Sequence, residues 1–68
     1  MKIKYFRDTD TALLEFSDAA VVETRELSED VYLDLDDRGK IVSITIEHAR
    51  TVANLPALSL EEVDSRVA

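Results

Sequence analysis

Few residues in this chain have the chemistry to bind or react. Asp34-x-Asp36-x-x-Gly39 has the opening spacing of a calcium loop. An EF-hand loop also needs an oxygen ligand at its fifth position and a bidentate carboxylate at its twelfth. Those positions hold Arg38 and Thr45, and the flanks read as strands where the motif requires helices. The plainer reading is that Asp36 forms a turn while Asp34 and Asp37 are solvated. A small-ligand or divalent-metal site on this turn, residues 34–37, is the second functional reading. Asp8 and Asp10 form another acidic pair. Paired carboxylates do acid–base work when burial drives their pKa values apart. These two lie in a polar loop with nothing apolar beside them, so turn formation with both carboxylates solvated is expected. His48 is the single histidine and there is no cysteine, so the usual zinc set cannot be assembled, though Glu47 and an Asp could help. No serine is arranged as an activated nucleophile near it in sequence. An exposed histidine at a strand end is expected. The sequence assigns no catalytic residue, no cofactor and no metal ligand, and the chain is not read as an enzyme.

The aromatics are Tyr5, Phe6, Phe16 and Tyr32. They suit core or interface anchors. They lack the basic surround of a nucleic-acid stacking platform.

The elements that position these residues follow from apolar spacing. Val31, Leu33 and Leu35 alternate with Tyr32, Asp34 and Asp36. Val42, Ile44 and Ile46 alternate with Ile41, Ser43 and Thr45. Period two on both sides of Asp36-Asp37-Arg38-Gly39 is the pattern of an antiparallel hairpin. Asp36 suits the first position of a type I turn, and Gly39 suits the position that needs φ > 0. A type I turn closed by a left-handed glycine pairs Asp36 with Lys40 and Leu33 with Ser43. The apolar pattern asks instead for Leu35 with Val42, Leu33 with Ile44 and Val31 with Ile46. A one-residue slip flips every side chain, so one regular ladder cannot satisfy both. The glycine register is preferred, with both faces of the hairpin partly covered.

Ile3 and Tyr5 mark a strand near residues 2–6. Ala12, Leu14 and Phe16 mark another near 12–17, and Val21 to Leu27 a weaker third. The breaks between them are polar, and the first lacks the Gly or Asn of a two-residue primed turn. After Glu47 the spacing of Ala49, Val52, Ala53 and Leu55 becomes helical or turn-like until Pro56. Ser59 with Glu62 forms a capping box, which predicts a short helix from about residue 60 to the end.

The chain has 68 residues, one domain at most, and 46% of them are hydrophobic. The division is a sheet over residues 1–48, then a loop and helix over 49–68. So short a chain without a disulfide is marginal alone, and self-association is an available source of stability. The net charge is −7, with eleven acids against Arg25 alone across residues 8–37. That field opposes nucleic acid and anionic lipid and favours a basic protein partner. No run is long enough to span a membrane, and the expected location is the cytoplasm.

Several pieces together resemble a small prokaryotic family catalogued as domain of unknown function 2283. They are Tyr5 to Asp10, Ala12-Leu-Leu-Glu-Phe-Ser-Asp18, Val22-Glu-Thr-Arg-Glu26, Val31 to Gly39 and Ile41-Val-Ser-Ile-Thr-Ile46. The chain departs from that pattern at Phe6, where Asp is usual, and at Ser43, where Gly is usual. The resemblance carries no catalytic residues. It implies one partner class, small ribonuclease-type toxins.

The expected architecture is α+β: a four- to five-stranded antiparallel β-meander with a short C-terminal helix. The first functional reading is a protein-interaction module, either a homo-oligomer (a dimer first) or an antitoxin-like binder of a basic partner such as a small toxin. Glu23, Glu26, Tyr32, Asp34, Asp36 and Ile41 are the expected contacts.

Overall fold

The computed structural model describes residues 1–53 and residue 63. Five strands form one open antiparallel sheet: β1 (Lys2–Phe6), β2 (Thr11–Glu15), β3 (Glu23–Ser28), β4 (Val31–Leu35) and β5 (Ile41–Glu47). A short helix, α1 (Ala49–Val52), follows. This is the expected α+β class. The helix expected from about residue 60 lies outside the described residues; of that stretch, Val63 is described and is exposed.

The strand order is β1-β2-β5-β4-β3. Three of the four pairings join strands adjacent in sequence, and the fourth, β2 with β5, closes the sheet. Residues 16–22 carry the chain from β2 past the ends of β5 and β4 to β3. That distance is three strand spacings, roughly 14 Å. The Phe16 and Ser17 N–H groups donate to the Val42 carbonyl at 2.8 and 3.2 Å, and Val22 N–H donates to the Leu35 carbonyl at 2.9 Å. The crossing segment is thus tied to both strands it passes.

Both sequence-derived registers of the central hairpin hold, each over its own part. At the turn the glycine pattern holds: Asp36 N–H donates to the Lys40 carbonyl at 2.9 Å, Gly39 N–H to the Asp36 carbonyl at 3.1 Å, and Gly39 has φ 77°. Leu35 pairs with Ile41. The register then shifts, and Asp34 pairs with Ser43, Leu33 with Ile44 and Val31 with Ile46. The expected pairing of Leu33 with Ser43 is therefore corrected, as is that of Leu35 with Val42. A bulge supplies the extra residue on β5 and reconciles turn chemistry with apolar matching. It also accounts for Val42 and Ser43 being buried in succession, which a regular strand with alternating faces does not allow.

With that register, cross-strand rows define two faces. Ile3, Leu14, Ile44 and Leu33 form one row, and Tyr5, Ala12, Ile46 and Val31 form the next. This face is apolar across four strands. The other face carries Lys2, Glu15, Ser43, Asp34 and Thr24 in one row, and Lys4, Leu13, Thr45, Tyr32 and Glu26 in another. Helix α1 lies on the apolar face at one end. Ala49 and Ala12 are fully buried there, packed by Tyr5, Leu14, Ile46 and Ala53. Small side chains at this crossing let the helix approach the sheet closely.

Candidate functional site

One end of the sheet collects the turn of residues 7–10, the turn at Glu29 and Asp30, and the exit from β5 into α1. Two residues there hold positive φ without being glycine: Asp10 at 55° and His48 at 53°. Such backbone costs energy and persists only where surrounding contacts over-determine it. For Asp10 those contacts are plain. Its Oδ1 accepts the Tyr5 hydroxyl at 2.5 Å and the Arg50 N–H at 3.2 Å. Its carbonyl accepts the Ala49 N–H at 2.9 Å. One aspartate therefore joins the first hairpin to the start of α1. The Arg50 guanidinium lies 5.8 Å from the centre of the Tyr5 ring, within cation–π range.

His48 stands beside this group. Its Nδ1 is 2.8 Å from Asp30 Oδ1, and the Asp30 carbonyl accepts the Glu47 N–H at 2.8 Å. The β3–β4 turn is thereby fastened to the end of β5. The expectation of an exposed histidine at a strand end agrees with this placement, although the ring is paired. The expectation that Asp10 is simply solvated is corrected by its bonds to Tyr5 and Arg50.

The electrostatics follow from these contacts. The Tyr5 hydrogen bond, aided by Arg50, holds the Asp10 carboxyl below the usual range, and the same bond to Asp10 raises Tyr5. Neither is poised to exchange a proton near neutrality, so the pair is a clasp rather than an acid–base couple. His48 is raised, first by its bond to Asp30 and then by that charge. At neutral pH it is more cationic than a free histidine.

The expected contact residues divide between the two faces. Glu26 and Tyr32 are direct cross-strand partners, and Asp34 shares their face. The Tyr32 hydroxyl pKa is raised, first by the charge of Glu47, then by burial, and then by Glu26, Asp30 and Glu29. The Tyr32 hydroxyl itself donates to the Glu29 carbonyl at 3.3 Å. Glu23 lies opposite Leu35, on the apolar side, and pairs with Arg25 at 2.6 Å. Ile41 begins β5 and is 47% exposed.

The carboxylates of the 34–37 turn are engaged. Asp34 accepts the Thr24 hydroxyl at 2.6 Å on one oxygen and the Ser43 hydroxyl at 2.7 Å on the other. It bridges three strands and is not simply solvated as expected. Asp36 Oδ1 accepts the N–H groups of Arg38 and Lys40 at 2.8 and 2.9 Å, the turn role expected of it. Among the described residues no cluster of three or more His, Asp or Glu side chains is placed to hold a metal ion, and no helix is long and apolar enough to cross a membrane.

Sequence reasoning missed Glu29, Asp30 and Arg50. A signal was present: pairing Val31 with Ile46 by apolar matching sets Asp30 beside Glu47 and His48.

The fold and site define a small open-sheet α+β protein with a clasped end and an acidic, tyrosine-centred face. The chain belongs to the DUF2283 family, described as a protein of unknown function, whose model matches residues 2–50. No curated protein and no solved structure matches it.

Proposed function

We propose that this chain is a protein-interaction module that takes a basic protein segment on the face of Tyr32. The observation that carries the reading is the setting of that ring: Glu26 is its cross-strand partner on β3, Glu47 lies two residues beyond its β5 partner Thr45, and its hydroxyl reaches the Glu29 carbonyl. A lysine or arginine of the partner gains there from carboxylates and from the ring face together. The net charge of −7 steers a cationic partner toward the chain and repels nucleic acid. Family resemblance adds one candidate class, small ribonuclease-type toxins.

The test is capture from native lysate at low salt, followed by association and dissociation kinetics with the captured protein. Glu26→Lys is expected to slow association, and added salt to do the same. Tyr32→Ala is expected to speed dissociation, because a central aromatic contributes more to affinity than a rim charge. Glu23→Lys, on the opposite face, is expected to act only through net charge and so more weakly than Glu26→Lys. Kinetics indifferent to Tyr32 and Glu26 would sink the reading.

A further inference from the structure

We propose that the apolar face of the sheet packs against the same face of a second copy of this chain, giving a two-fold dimer of stacked sheets. This goes beyond the basic-partner reading, which uses the opposite face.

The first observation is the size of the core. Ala12, Leu35, Val42 and Ala49 are the buried apolar residues, and no large side chain is fully buried among the described residues. Helix α1 packs at the Ala12 and Ile46 end of the apolar face, where Tyr5 and Leu14 also meet the Ala12–Ala49 cluster. The row of Leu14, Ile44 and Leu33 remains half-buried, and Ile3 at its rim is 40% exposed.

The second observation is where charge lies. On β1, β2, β5 and β4 this face carries none. On β3 it carries Glu23 and Arg25, which neutralise each other. The opposite face holds Glu15, Glu26, Asp34 and Glu47. Two chains of charge −7 repel through most surfaces, yet stacking on the neutral face turns those acids outward on both sides.

The third observation concerns the sheet edges. Both sheet edges are blunted against further strands: β1 by Lys2 and Lys4, and β3 by Glu23, Arg25, Glu26 and a bulge between Glu26 and Ser28. A stack confined to this patch belongs with small specific interfaces, below about 1,200 Å² in total, so the dimer is concentration-dependent.

Sedimentation of the full chain from about 5 to about 500 μM tests the proposal. A monomer–dimer equilibrium is expected within that range. Ile3→Lys sits on an exposed edge position and is expected to keep the far-UV spectrum while raising the dimer Kd roughly tenfold or more. Glu26→Gln, on the opposite face, is expected to leave the Kd unchanged or lower it slightly. Intermolecular methyl contacts of Ile44 and Leu33 should appear by NMR as concentration rises. A monomer throughout the range overturns the proposal, whether residues 54–68 or another protein covers the face. So does a dimer that Ile3→Lys leaves intact, or an open series of larger species, which marks edge pairing. Failure of the basic-partner reading leaves these outcomes unaffected, since Tyr32 and Glu26 are not in this contact.

Discussion

Tyr5 and Asp10 are five residues apart and joined by a 2.5 Å hydroxyl–carboxylate bond across the first hairpin turn. That bond fixes a carboxylate whose remaining contacts reach Arg50, forty residues along the chain. It links a local turn to the long-range packing of α1. Tyr5→Phe keeps the ring packed on Ala12 and removes only the hydroxyl. The expected result is a lower Tm and an Asp10 pKa that returns toward the ordinary carboxylate value. Thermal melts and a pH titration of the Asp10 side-chain signal measure both; an unmoved Asp10 pKa would rule the clasp out.

The two shifted groups at this end predict the shape of the stability–pH curve. Asp10 has a depressed pKa in the fold. Its contribution is therefore present above the usual carboxylate value of about 3.9 and is lost as pH falls through the folded pKa. His48 has a raised pKa. Its contribution is complete below the usual histidine value of about 6.5 and fades as pH rises through the folded pKa. Asp10→Asn should flatten the acid limb, and His48→Ala or Asp30→Asn the limb that begins above about pH 6.5. The histidine effect is small, because its side chain is 72% exposed and solvent screens the pair. Melting temperature measured across pH for each variant checks the assignment.

Gly39 holds φ 77°, and a Cβ built there meets nothing within 4 Å. Any loss on substitution comes from the backbone alone. Gly39→Val should cost more than about 1 kcal/mol, because a β-branched residue is strained at that φ. Gly39→Asn should cost less, since asparagine tolerates the left-handed region. Chemical denaturation of the two variants orders them, and equal losses would contradict the turn geometry.

Asp34 joins Thr24 and Ser43 across three strands. Ser43 is only 7% exposed, so Asp34→Ala leaves a buried hydroxyl without its partner, at roughly 1 to 3 kcal/mol. Ser43→Ala removes that hydroxyl and should cost less. The double variant should lose less than the sum, because both changes act on one bond. Strict additivity in a denaturation cycle would show that the bond contributes nothing.

Much of the sheet was legible because strand periodicity is local. Alternation of small sets such as Val31, Leu33 and Leu35 marks a strand whatever surrounds it, and Gly39 marks its turn. The charge imbalance and the family pattern are likewise properties of the chain itself. Register was only half legible. Turn chemistry and apolar matching each chose a different pairing, and the bulge at Ile41 and Val42 satisfies both by spending one residue that no local rule predicts. The order of strands was decided in three dimensions, because β2 gains its partner β5 only after residues 16–22 have crossed the sheet. The clasped end was hidden for the same reason. Asp10, Asp30, His48 and Arg50 come from three separate stretches, each of which reads alone as a polar turn or a strand end. Their contacts, pKa shifts and backbone conformations exist only once antiparallel pairing brings those chain ends to one side.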